Sequence, residues 1–130
     1  MATREIRFRV WKDDTLLDKD FDYYIDFYGS VLHIDNGYDP FTHDIEDCTI
    51  EQFTGLRDKN GVEIYEGDIV ELDFDEFHSP IPNGFKGAVK YYESSFYVDS
   101  GSAGFTVFQE IASWKVIGNI HENPELLEKR

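Results

Sequence analysis

The sequence has a single cysteine, Cys48, among 130 residues. No intramolecular disulfide can form, and nothing points to an oxidising compartment. No apolar run approaches the roughly 18–20 residues that cross a bilayer, and the opening residues lack the charged stub and apolar core of a secretory signal. A cytoplasmic protein with no membrane contact is expected. Cations are the next scarcity: 12 Lys and Arg stand against 27 Asp and Glu, for a formal charge of −15. None lies between Lys19 and Arg57, where Asp20, Asp22, Asp26, Asp35, Asp39, Asp44, Glu46, Asp47 and Glu51 accumulate. Nucleic acids and anionic membranes are held by cations that displace counterions, so neither is an expected partner. The excess acid has two remaining readings. It confers solubility, as charged surface ordinarily does, or it attracts a basic partner, including by mimicry of nucleic acid.

Catalytic patterns are also missing. A nucleophilic Cys48 would need a base, and His33, His43, His78 and His121 are scattered along the chain. A free cysteine is more often a buried hydrophobe. No closely spaced His or Cys pair suggests zinc. The oxygen-rich sets Asp73, Asp75, Glu76 with His78, and Asp35, Asn36 with Asp39, do not fit a calcium loop. No catalytic, metal or cofactor residue is assigned.

What the chain does have is aromatics: 11 Phe, 8 Tyr and 2 Trp. They bury large areas, so a core needs neither disulfide nor metal. Arg4 to Trp11 alternates, with Ile6, Phe8 and Val10 on one face and Glu5, Arg7, Arg9 and Trp11 on the other, which predicts a half-buried strand. Phe21 to Tyr28 also alternates, Gly29-Ser30 breaks it, and Val31 to Ile34 reads as a return strand. Tyr23, Tyr24, Phe27 and Tyr28 lie in an acidic-aromatic run. They are either a strand with one buried face or a protein-contact surface, since aromatics rimmed by charge suit interfaces.

From Cys48 the signal sharpens. Thr49–Phe53 and Val62–Tyr65 flank Asp58-Lys-Asn-Gly61, a strong hairpin signal. In Ile69–Phe74, Val70, Leu72 and Phe74 point inward and Glu71 and Asp73 outward. Phe85–Tyr92 and Phe96–Val98 form a second hairpin around Glu93-Ser94-Ser95, followed by strands at Phe105–Phe108 and Lys115–Ile120. Asn123-Pro124-Glu125 opens a short helical turn, with Asn as N-cap. Many short strands without a long amphipathic helix predict a mostly β fold, a small antiparallel barrel over residues 51–120.

Gln52-Phe-Thr-Gly-Leu-Arg-Asp-Lys-Asn-Gly-Val-Glu-Ile-Tyr-Glu-Gly-Asp-Ile-Val70 resembles the hallmark of the YopX-like family of phage and prophage proteins. Arg4–Trp11 is similar to that family's opening strand, and Val116–Leu126 to its closing segment. The resemblance implies an SH3-like barrel at residues 51–130 behind an N-terminal β extension at residues 1–50. It also implies a phage or prophage origin, with no established activity and hence no catalytic residue to carry over. The hallmark itself reads as structural. Gly55, Gly61 and Gly67 serve turns, Asp58 and Asn60 hold them through their side chains beside Glu66-Gly67-Asp68, and Val62, Ile64, Ile69 and Val70 fill a core.

The expected function is an accessory role through protein contacts, by self-association or with a basic partner. An enzyme of unrecognised type acting on a small molecule or nucleotide is the alternative, and a nucleic-acid-binding barrel is the reading that the charge disfavours. Labelled duplex and single-stranded oligonucleotides should therefore give flat fluorescence-anisotropy titrations at physiological salt. Micromolar binding that weakens steeply with salt would instead make Arg7 and Arg9 contact residues.

Overall fold

The computed structural model describes residues 5–17, 23–25, 27–33, 43–44, 48–74, 84–101, 103–106 and 113–128. The side chains of residues 24, 32, 33, 43, 44, 73, 74, 105, 106 and 113 are outside the description. Antiparallel strands dominate, as the succession of short strand patterns predicts, and the described helix is one 3-10 turn at Pro124–Leu127. The chain divides into two compact units, Phe8–Glu51 and Met1–Arg7 with Gln52–Arg130.

The smaller unit contains β1 (Phe8–Lys12), β2 (Thr15–Leu16), β3 (Tyr23–Ile25), β4 (Val31–His33), β5 (His43–Asp44) and the opening of β6 (Cys48–Arg57). β2, β1 and β6 lie side by side, and β3-β4-β5 form a separate three-stranded sheet. β1 does not show the predicted faces. Val10 is buried, but so is Trp11, while Ile6 and Phe8 are exposed. The reason is polar. The Trp11 indole N–H donates to the Glu51 carboxylate at 2.7 Å, and the same oxygen accepts from Arg9 Nε at 2.7 Å. A buried acid with two donors satisfies the indole N–H inside the unit, so the strand's nominally wet face can be covered.

The larger unit follows the hallmark. The rest of β6 turns through Asp58–Gly61 into β7 (Glu63–Tyr65), with Phe53 opposite Tyr65 and Arg57 opposite Glu63. Those two pairings are out of step because β6 bulges between them. Gly55 sits in the bulge at φ +89°, a conformation that costs a side chain dearly. Thr54 repairs the broken ladder: its hydroxyl donates to the Ile64 carbonyl at 2.8 Å and accepts the Leu56 N–H at 3.2 Å. Gly55 therefore kinks a strand; it does not close a turn.

Beyond lie β8 (Asp68–Phe74), β9 (Lys86–Tyr92), β10 (Ser95–Asp99), β11 (Gly104–Thr106) and β12 (Ser113–Asn119), ordered β11-β10-β9-β8-β12 in one antiparallel sheet. The fold includes one half-barrel. The core joins Ile64, Val70, Leu72, Val89, Phe96, Val98 and Trp114, with Leu56, Phe85 and Val116 against it. Val70 and Leu72 point inward as the alternation predicts. Val62 does not join them and is exposed. Its N–H and carbonyl bond to Asp58, so its backbone serves the turn and its side chain faces water.

Two backbone details were not foreseen. At Gly87 a Cβ would lie 2.5 Å from the Asp99 carbonyl oxygen, so β9 and β10 can approach only over a glycine. The β9–β10 turn carries Glu93 at φ +50° and Ser94 at φ +66°. That backbone normally calls for Asn-Gly. At the chain end Asn123 makes no side-chain cap on the 3-10 turn, contrary to the N-cap expectation. Its Oδ1 accepts from Asn119 N–H at 3.3 Å instead, which fixes the end of β12, while Pro124 and Glu125 occupy the first turn as expected.

Leu72 has almost no exposed surface. Leu72→Ala should lower the unfolding free energy by about 2–4 kcal/mol in urea titrations, through lost burial and an unfilled cavity. A loss below about 0.5 kcal/mol would mean that the β8 faces are misassigned.

Candidate functional site

The acidic-aromatic run resolves into an edge and a tip. Tyr23–Ile25 pairs with Val31–His33, so the predicted return strand exists and the run is not an unpaired strand. Tyr23 is half-buried, and Tyr24 lies on the same strand opposite Leu32. Phe27 and Tyr28 leave the ladder at the turn, just before Gly29 at φ +82°. Both are fully displayed, at 106% and 93% relative exposure. Of the four predicted contact residues, the turn thus brings two together in solvent. Keeping a Phe side chain in water forgoes about 1.5–3 kcal/mol of burial.

A second aromatic tip, not singled out in the sequence, lies in the larger unit. Tyr91 and Tyr92 are exposed at the end of β9, Tyr91 standing edge-on to Phe96 at 5.1 Å between ring centroids. Period two assigns such residues to a strand and cannot say that the strand ends in water beneath them.

The hallmark residues converge on a corner built around Asp58, which is buried. One carboxylate oxygen accepts the N–H groups of Asn60 at 2.8 Å and Val62 at 2.9 Å. The other accepts the Val116 N–H of β12 at 3.0 Å, and the Lys59 N–H donates to the Trp114 carbonyl at 3.1 Å. Within this corner Asn60 acts through its backbone. Gly67 is buried between strands: its N–H donates to the Val89 carbonyl at 2.8 Å and its carbonyl accepts the Ile120 N–H at 2.8 Å. Asp68, also buried, accepts the Tyr65 N–H at 2.8 Å. These acids bind backbone amides, which is scaffold chemistry.

Arg7 pairs with Glu63 and Glu5, Arg57 reaches Glu5 and Glu63, and Arg9 is committed to Glu51. Cys48 is half-buried at the start of β6. Among the described residues, no three His, Cys, Asp or Glu side chains could hold a metal. The predicted oxygen-rich sets fall largely outside those residues. No helix among the described residues is long and apolar enough to cross a membrane.

The family described as YopX protein matches residues 7–128. No curated protein matches the chain. Among solved structures, the chain is similar to protein EF1440 from Enterococcus faecalis, at 26% identity over 97% of this chain and 100% of that one, with a TM-score of 0.55. It is also similar in fold to protein yopX from Bacillus subtilis, at 22% identity over 95% and 96% of the two chains, with a TM-score of 0.57.

Burial pushes the Asp58 carboxyl up, but the amides of Val116, Val62 and Asn60 and the charge of Lys115 outweigh it and hold the group below its ordinary 3.8. Since the folded state favours the charged form, Asp58 stabilises the fold fully above pH 3.8, and that contribution fades as pH falls below it. Asp58→Asn should therefore lower the urea midpoint at pH 7 by the equivalent of about 1–3 kcal/mol. The gap to the parent should narrow below pH 4. A gap independent of pH would show that shape, and not charge, holds the corner.

Proposed function

Because this chain belongs to the YopX family, we propose that it is a phage- or prophage-encoded accessory protein that acts through protein contacts made by the β3–β4 turn. The observation that carries this reading is the full exposure of Phe27 and Tyr28 side by side at a turn tip. Large rigid aromatics supply most contact energy at protein interfaces, with little side-chain entropy to lose. The buried acids are engaged in each unit, Glu51 by an arginine and an indole N–H and Asp58 by backbone amides. Carboxylates so engaged support a scaffold better than they support acid–base catalysis. The engagement of Arg7 and Arg9 by carboxylates likewise supports a protein partner over nucleic acid. We read the half-barrel as the SH3-like domain that the hallmark resembles, and the host cytoplasm as the place of action.

A photo-crosslinking phenylalanine analogue at position 27 should give discrete protein adducts in the bacterial host, either with a second copy or with another protein. The same analogue at Glu125, which is exposed on the 3-10 turn, serves as the control. Adducts that are equal at both positions, or absent at Phe27, would overturn the reading.

A further inference from the structure

The two units are unequally charged. Residues 8–51 carry Arg9, Lys12 and Lys19 against twelve Asp and Glu, leaving −9, whereas the rest of the chain carries nine cations against fifteen acids, leaving −6. The smaller unit is about half the length of the larger and yet more acidic in total. Of its three cations, Arg9 is spent on the buried Glu51 at 2.7 Å. The exposed pair Phe27 and Tyr28 belongs to this unit.

Resting on the protein-contact reading above, we infer that the occupant of the β3–β4 turn is a cationic polypeptide surface with an apolar recess, and not a second copy of this chain. A homotypic contact at this turn would bring two units of −9 together. Over the roughly 8 Å reach of charge at physiological salt that arrangement is repulsive. A lysine- or arginine-rich surface reverses the sign. Its field speeds encounter, and the acids reject anionic competitors. Charge alone does not fix a binding pose, because surface ion pairs contribute little each. Phe27 and Tyr28 supply what charge lacks: two aromatic anchors, already exposed, whose burial selects a partner with a matching recess.

Three labelled peptides test this against the full chain and its Phe27→Ser, Tyr28→Ser double variant by fluorescence anisotropy. One is lysine-rich with interspersed leucines, a second replaces its lysines by glutamate, and a third keeps the lysines but replaces the leucines by serine. The first should bind the parent in the micromolar range at physiological salt. It should weaken about tenfold or more as salt rises from about 50 to about 500 mM, within which screening becomes strong. The double variant should lose about tenfold for the first peptide and nothing for the third, which is held by charge alone. Binding of the glutamate peptide as tight as the first, tightening with salt, or equal binding of the first peptide by parent and variant would overturn the inference. If the peptides fail while position 27 still crosslinks, the contact stands with a partner of other chemistry. If position 27 gives no adduct, the contact itself is lost.

Discussion

One carboxylate holds the larger unit to its shape. Asp58 divides its two oxygens between the turn that follows it and the amide of Val116 on β12, 58 residues further along. An antiparallel ladder cannot do this, because β7 and β12 are not neighbours in any sheet. A side chain with two acceptors bridges the gap where backbone pairing stops. The Lys59 N–H adds a second stitch to Trp114, so the corner meets β12 on both sides of Lys115. The core then has a lid: Ile64 and Leu56 come down on Val70, Leu72 and Trp114 from the hairpin that Asp58 anchors. Such an arrangement also occupies polar groups of β12 that a foreign strand could otherwise pair with.

The smaller unit relies on an analogous acid. Glu51 is buried and takes donors from Arg9 and Trp11. In each unit a buried carboxylate takes at least one donor from a position 40 or more residues away. The net charge of −15 thus has two populations. A few acids build the fold from within, and the remainder set the field that a partner meets.

Legibility followed the range of the forces involved. The Asn60-Gly61 turn, the β7 and β8 strands and the inward parity of Val70 and Leu72 are local consequences of φ preference and period two, and the structure has them all. The hallmark's family was legible for the same reason: its residues are contiguous. The faces of β1 were misread because Trp11 is buried through an acid 40 residues away, which no local alternation encodes. Val62 was misread because a β-branched residue beside a turn resembles a core residue until its backbone partners are known. Thr54 gave no signal, since its task appears only once β6 bulges against Ile64. For the site, the sequence marked the aromatic run but not the turn that lifts Phe27 and Tyr28 clear of it. The Tyr91–Tyr92 tip was hidden by the regular strand pattern that leads into it.

The two tryptophans of the chain fall one in each unit, in unlike surroundings. The Trp11 indole N–H lies 2.7 Å from a carboxylate oxygen, and a guanidinium sits 5.6 Å over its ring. Trp114 is packed edge-on against Phe85, and among the described residues nothing accepts its buried N–H. Indole emission follows the polarity around the ring, so the two should glow at different wavelengths, Trp114 the bluer. Each unit therefore carries its own intrinsic optical label. Replacing either tryptophan by phenylalanine would leave a single-colour reporter, and melting of the two units could be followed separately without attaching a dye.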